Sequence, residues 1–104
     1  MEAKFYLEAG HPKVLINKKW NALSLFLESD ARFPEAKKHI ELKKQRKWMG
    51  NTTSIQLLEG SIFKVYSELD IDLESVEIYQ KQLLKLMGAW SKFEQCKKEC
   101  TISV

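Results

Sequence analysis

The sequence has few of the residues that interrupt regular secondary structure. Its 104 residues include four Gly and two Pro, and so few breakers favour long helices over short strands joined by turns. The apolar fraction of 44% and the charged fraction of 30% are typical of a globular protein rather than a disordered one. Length and composition together predict one domain spanning residues 1–104.

A long apolar run and a secretion signal are also missing. No stretch approaches the roughly 20 apolar residues that a membrane-spanning helix needs, and Met1-Glu2-Ala3-Lys4 does not open a signal peptide. The two cysteines, Cys96 and Cys100, are four residues apart. On a helix they would share a face yet be poorly placed to bond to each other, so no disulfide framework is expected. The sequence therefore predicts a cytoplasmic protein.

Motifs for catalysis and for metal binding are absent too. The sequence contains no GxSxG, no HExxH and no phosphate-binding Gly-rich loop. His11 and His39 are not spaced as metal ligands, whereas a structural zinc site takes four; His39 is expected at the surface. The paired acids Asp70 and Asp72 are better explained as helix caps than as a general acid and base. We expect no enzyme activity, no metal and no cofactor.

Residues 1–16 allow two interpretations. Aromatic and β-branched residues on both sides of Gly10-His11-Pro12 suggest a β-hairpin. The alternative is an extended arm followed by a helix that begins at Pro12, because proline is favoured at the first helical position.

Helical spacing begins near residue 16 and predicts two helices in the first half of the chain. The first, over residues 17–29, carries an apolar stripe. The second, over residues 34–49, has Pro34 in its first turn and Gly50 as its C-terminal cap. The residues of the stripe are Ile16, Trp20, Leu23 and Leu27.

Two further helices are predicted over residues 53–69 and 73–98. Thr53 and Gln56 are spaced as a capping box at the start of the third helix, and Asp72 can cap the fourth. Apolar residues in both segments recur three and four positions apart: Ile55, Leu58, Ile62, Val65 and Leu69, then Val76, Tyr79, Leu83, Leu86, Trp90 and Phe93.

The last two helices can be arranged in two ways. Leu69 and Val76 are seven residues apart, so the two apolar seams share a phase. One long helix over residues 54–98 would need a partner chain over its seam, and it predicts a homodimer through residues 55–93. The other arrangement is a helical hairpin broken at residues 70–72. Either way, the sequence predicts an all-α domain of three to four helices, to which the N-terminal alternatives add a short β-hairpin or an extended arm.

Charge is distributed unevenly along the chain and points to a candidate site. Six basic residues and one acid lie between Lys37 and Lys47, whereas six acids and one base lie between Glu59 and Glu77. The basic segment is poor in apolar residues and ends in an aromatic residue, a combination typical of an interface. The predicted partner-binding residues are Lys37, Lys38, Lys43, Lys44, Arg46, Lys47, Trp48 and Met49.

These features favour a small regulator or adaptor without catalytic activity that binds and modulates another protein. Trp48 and Met49 would enter a pocket on the partner while the cations select an acidic surface. Alternatively, the same basic helix, residues 35–49, binds the phosphate backbone of DNA or RNA. Two further interpretations of the basic segment are a solvated helix face and a contact with the acidic segment 68–77, within the chain or between subunits. The composition would suit a phage or plasmid protein.

Overall fold

The computed structural model of the chain describes residues 1–70 and 72–104. Within these residues the chain forms seven strands in two antiparallel sheets together with three α-helices. The prediction of an all-α helical bundle is therefore wrong. The elements in chain order are β1 (Glu2–Glu8), β2 (His11–Ile16), α1 (Asn21–Ser29), α2 (Pro34–Leu42), β3 (Lys47–Met49), β4 (Ser54–Leu57), β5 (Ile62–Tyr66), β6 (Val76–Tyr79), α3 (Gln80–Cys96) and β7 (Cys100–Ser103).

The first sheet has three strands in the order β2-β1-β7. The chain reverses between β1 and β2 at Ala9 and Gly10, both of which have positive φ, a conformation that glycine adopts without steric cost. This is the hairpin that the sequence offered as one of two alternatives for residues 1–16. The C-terminal strand β7 pairs with the other side of β1, so the sheet joins the two ends of the described chain.

The second sheet has four strands in the order β3-β4-β5-β6. Its side chains alternate between two environments, as expected for a sheet with one buried face. In β5, Phe63 and Val65 are fully buried, while Lys64 and Tyr66 between and after them are partly exposed. One face therefore packs on the core, and the other faces solvent.

The predicted second helix ends seven residues early. Helix α2 begins at Pro34, as predicted, but it stops at Leu42, where Lys43 takes a left-handed conformation with φ 52°. Residues 47–49 form an edge strand instead, with Trp48 opposite Ile55 of β4. Gly50 is not a helix cap; it begins the turn between β3 and β4, where its amide donates to the Thr53 carbonyl at 2.8 Å.

The predicted third helix, residues 53–69, is a β-hairpin. Strands β4 and β5 pair antiparallel, and Gly60, with φ 69°, lies in the turn between them. Thr53 and Gln56 consequently do not form a capping box. Residues 76–79 of the predicted fourth helix are strand β6, and the helix itself begins at Gln80.

A continuous helix over residues 54–98 is therefore ruled out, so the predicted homodimer loses the helical seam from which it was inferred. Most of the seam residues are buried in the core of the chain itself, whereas Leu69 and Tyr79 are exposed. Residue 71, inside the predicted break at 70–72, lies outside the described residues.

One core joins both sheets and all three helices. Helix α1 contacts β2 of the first sheet and β5 of the second. The Phe5 ring of β1 lies 5.4 Å from the Trp90 ring and 5.5 Å from the Phe93 ring, both on α3. In the part of the chain that the structure describes, no helix has the length and apolar character needed to cross a membrane.

Candidate partner-binding site

The eight residues predicted from the basic segment do not share one helix. The break after Leu42 distributes them over three elements with different directions, so they do not form a single basic stripe. Helix α2 carries Lys37 and Lys38, the linker that follows carries Lys43, Lys44 and Arg46, and strand β3 carries Lys47, Trp48 and Met49.

Three of the eight, Lys38, Lys44 and Trp48, meet at a cleft between α2 and β3. The helix supplies positions three and four residues apart, which lie on one face, and the linker and strand supply the opposite wall. The cleft has a volume of about 320 Å³. Its lining residues are Glu35, Lys38, His39, Leu42, Lys44, Gln45 and Trp48.

Trp48 is half-buried and is held from one side by its own chain. Its ring lies 6.4 Å from the Phe33 ring, and its Cη2 atom is 2.9 Å from the position that a Cβ atom on Gly50 would occupy. Besides the cleft, Trp48 lines a second hollow of about 260 Å³ together with Phe33, Glu35, Met49, Gly50 and Asn51. Trp48 is thus shared by two adjacent hollows, which we call the cleft and the second hollow.

Two large apolar side chains project into solvent around these hollows. Leu42, which lines the cleft, is 56% exposed, and Met49, which lines the second hollow, is 64% exposed. Exposed apolar groups beside an aromatic residue are typical of an interaction surface.

Three of the other predicted cations, Lys37, Lys43 and Lys47, contact groups outside the cleft. Lys37 lines a separate hollow between α2 and α3, and the Lys43 ammonium donates to Ser61 Oγ at 3.3 Å. Lys47 Nζ lies 2.6 Å from Glu68 Oε1 and 5.5 Å from the Tyr66 ring centre. Hydrogen bonding to Glu68 and to Tyr66 raises the pKa of Lys47 to about 12. Among the described residues, the basic segment therefore makes one ion pair with the acidic segment 68–77, that between Lys47 and Glu68.

The turn that leads from β3 to β4 is held by Asp30, the residue that follows the predicted first helix. Asp30 is fully buried. Its carboxylate accepts hydrogen bonds from the backbone amides of Asn51, Thr52 and Thr53 at 2.8–3.1 Å and from the hydroxyls of Thr52 and Thr53 at 3.2 and 2.6 Å. No local signal in the sequence links Asp30 to a turn 21 residues away.

Burial raises the pKa of Asp30, but the hydrogen bonds from the Thr53 side chain and from the backbone of 51–53 outweigh it. The pKa therefore lies below its usual value, and the carboxylate is ionised at neutral pH. Gly50 allows the close approach, because a Cβ atom there would lie 2.5 Å from the Asp30 Cγ atom. Asp30 and Gly50 together fix the hairpin that carries Trp48.

His39 is part of the cleft wall rather than of the surface, contrary to expectation. It is 7% exposed, and its ring packs edge-on against Phe63 with the centres 5.8 Å apart. Neither ring nitrogen makes a hydrogen bond of good geometry within the described residues. Burial lowers the pKa of His39, and the nearby backbone of Ile55 opposes only part of this effect. Burial therefore favours the uncharged form of His39, and the cations that line the cleft are Lys38 and Lys44.

The described residues offer no group of three or more His, Cys, Asp or Glu side chains that could hold a metal ion. Cys96 and Cys100 are both exposed free thiols, at the end of α3 and the start of β7.

Comparisons with protein-family models, with curated proteins and with solved structures found no match to this chain. Its function must therefore be inferred from the chemistry of its own surface.

Proposed function

We propose that this chain is a regulator or adaptor without catalytic activity that binds another protein at the cleft between α2 and β3. The proposal rests on the convergence of half-buried Trp48 with the exposed cations Lys38 and Lys44 around one concave apolar surface. Among the residues that the structure describes, neither cation has an acidic partner within salt-bridge distance.

The aromatic side chain and the cations of such a site contribute to binding in different ways. A large aromatic side chain that lines a pre-formed hollow supplies much of the binding free energy, because few rotamers are lost and much apolar area is buried. Cations at the rim contribute chiefly to the association rate and to the choice of an acidic partner. The partner we infer is a protein segment that combines apolar side chains with Asp or Glu.

The geometry supports the nucleic-acid alternative less well. A protein that follows a phosphate backbone needs several cations along one path, whereas here the cations diverge, with Lys47 on Glu68 and Lys43 on Ser61. Lys37 lies beside the hollow between α2 and α3 instead.

A selection of displayed random peptides against the purified chain tests the proposal. We expect enriched peptides with apolar residues next to Asp or Glu, and an affinity at least tenfold weaker for Trp48→Ala. The double charge reversal Lys38→Glu/Lys44→Glu should slow association and weaken its salt dependence. The matched control is Lys85→Glu/Lys92→Glu, which changes the net charge equally on the exposed side of α3.

Two results contradict this proposal. One is enrichment of peptides whose binding is unaffected by Trp48→Ala, or no enrichment at all. The other is binding of labelled duplex DNA or single-stranded RNA that falls steeply between 50 and 200 mM salt, measured by fluorescence anisotropy and abolished by Lys38→Glu/Lys44→Glu. That second pattern is the one expected for a phosphate-binding protein.

A further inference from the structure

Strand β3 is an edge strand whose outer side can be derived from its pairing with β4. The Leu57 amide donates to the Arg46 carbonyl at 2.6 Å, and the Gly50 amide donates to the Thr53 carbonyl. Hydrogen-bonded and non-hydrogen-bonded residue pairs alternate along two antiparallel strands. Since the pairs Arg46–Leu57 and Gly50–Thr53 are hydrogen-bonded, the pair midway between them, Trp48 and Ile55, is hydrogen-bonded as well. The backbone groups of Lys47 and Met49 therefore point away from the sheet. In the described chain, no hydrogen bond outside the strand pairs uses them.

The β2 edge of the first sheet, unlike β3, has outward backbone positions that cannot pair with a further strand. On β2, Pro12 has no amide hydrogen, and the amide of Val14 donates to the Glu28 carboxylate at 2.9 Å. Proline and inward-reaching charges are devices that keep an edge strand from pairing with another chain. Strand β3 is short and carries Lys47, but it has no proline, and among the described residues no side chain bonds to its outward backbone groups, so these groups can pair with a further strand.

The two hollows beside Trp48 fit the side chains of such a strand. Alternate residues of an extended chain point to the same face, about 6.7 Å apart. The cleft and the second hollow share Glu35 and Trp48 in their walls, and the cleft is lined by residues before Trp48 in the chain whereas the second hollow is also lined by the residues that follow it. A strand laid along β3 would thus place one side chain in each hollow.

The charged side chains around the two hollows restrict which partner segment can bind there. Glu35 lines both hollows, so the side chains that enter them should be apolar rather than acidic. Lys38 and Lys44 border the cleft, and Arg46 is exposed in the linker that precedes β3. Acidic residues of the occupant would lie outside the hollows, near these cations.

We propose that the partner docks as an extended strand that adds to the free edge of β3, with an apolar-x-apolar segment in the two hollows and acidic residues beside the cations. In this mode main-chain hydrogen bonds supply affinity and pockets for alternate side chains supply specificity. The inference rests on the proposed function, because it specifies how the partner occupies the same site.

Amide hydrogen exchange tests the inference, with the tightest peptide from the display selection as the probe. We expect the amides of Lys47 and Met49 to slow at least tenfold in the complex, while the amide of Trp48, already bonded to β4, changes little. A second measurement uses peptides N-methylated at single positions. Methylation at every other residue should weaken binding at least tenfold, and methylation at the intervening residues should have much less effect.

The outcomes separate this inference from the proposed function. Binding that needs Trp48 but leaves Lys47 and Met49 unprotected, without alternation in the methylation series, overturns the strand and indicates a helical or irregular partner in the cleft. Protection of Glu77 and Tyr79 instead would move the added strand to β6 and also overturns it. Binding that is insensitive to Trp48→Ala contradicts the proposed function itself.

Discussion

Asp30 is a buried carboxylate surrounded by hydrogen-bond donors, with no cation in contact within the described residues. Five donors from residues 51–53 reach it, and charge-assisted hydrogen bonds of this kind are stronger than neutral ones. The hydrogen bonds that keep the carboxylate ionised in the core are thus the same hydrogen bonds that hold the β3–β4 turn.

Replacing Asp30 with Asn should cost about 3 kcal/mol at pH 7, because charged acceptors are lost and an amide NH₂ then faces donors. The pKa of Asp30 is lowered on folding, so its stabilising effect is present above the unfolded-state pKa near 3.8. That effect is lost as the pH falls through the still lower folded-state pKa. Urea unfolding of the wild type and the variant between pH 7 and pH 2 measures both effects.

The difference in unfolding free energy between wild type and Asp30→Asn should shrink toward acid pH. A difference that stays constant over this range would show that the ionised form is not what holds the turn. Trp48 fluorescence, recorded in a Trp20→Phe/Trp90→Phe background, reports whether the hairpin itself has moved.

Two glycines make a matched pair for a second prediction. Gly50→Ala would place a Cβ atom 2.5 Å from the Asp30 Cγ atom, and such overpacking typically costs about 1–3 kcal/mol. Gly88→Ala, inside α3, meets nothing within 4 Å and should stabilise the chain by about 0.5–1 kcal/mol through the higher helix propensity of alanine. Thermal unfolding should show a lower melting temperature for Gly50→Ala and a higher one for Gly88→Ala. If Gly50→Ala were as stable as Gly88→Ala, the close contact at Gly50 would have relaxed without cost.

At the scale of elements, the sequence was informative where local signals act alone. Pro34 marks the start of α2, and the apolar stripe that includes Leu23 and Leu27 marks α1. The N-terminal hairpin was foreseen as an alternative because Gly10 lies between two runs rich in aromatic and β-branched residues. Each of these signals lies within a few residues of the structure that it predicts.

The segment from Thr53 to Tyr66 shows why spacing alone misleads. Ile55, Ile62 and Val65 satisfy the helical period, yet Phe63 and Val65 equally satisfy the alternation of a strand. Short apolar runs are ambiguous by periodicity and are decided by flanking turns and β-branched content. Gly60, between two runs of Ile, Leu, Phe and Val, is the turn signal that favours two strands over a helix.

The edge strand β2 gives a prediction at the same scale. Glu28 accepts the outward amide of Val14 and lies 3.5 Å from the Lys13 ammonium. Glu28→Ala should lower the unfolding free energy by about 1 kcal/mol, since the site is partly exposed. It should also speed exchange of the Val14 amide. Glu94→Ala, on exposed α3 surface, is the control. If Val14 exchange is unchanged, Glu28 does not protect the edge.

At the scale of the whole molecule, the candidate site depends on contacts distant in sequence. Lys38, Lys44 and Trp48 were predicted as interface residues, but the cleft that gathers them exists only because β3 pairs with β4 and Asp30 holds the turn. A prediction from one sequence had no access to that pairing. It therefore placed the cations on a helix that would have spread them along one stripe.

The shared core implies that the two sheets unfold together. Phe5 of the first sheet packs on Trp90 and Phe93 of α3, α3 contacts β6 of the second sheet, and α1 bridges β2 and β5. A domain of this size normally unfolds in one cooperative step. A cavity made in one sheet should therefore destabilise amides in the other by the same free energy.

Phe5→Leu, which removes part of a fully buried ring, should cost about 1–2 kcal/mol. Native-state hydrogen exchange can then be followed at the most protected amides of β1 and of β5. We expect both sets to lose protection equally, and Val65→Ala, made in β5, should reproduce the pattern from the opposite side. Protection lost only in the mutated sheet would show two separately unfolding units. In that case a partner bound at β3 would stabilise the second sheet alone, whereas in a single cooperative unit it would stabilise the whole chain.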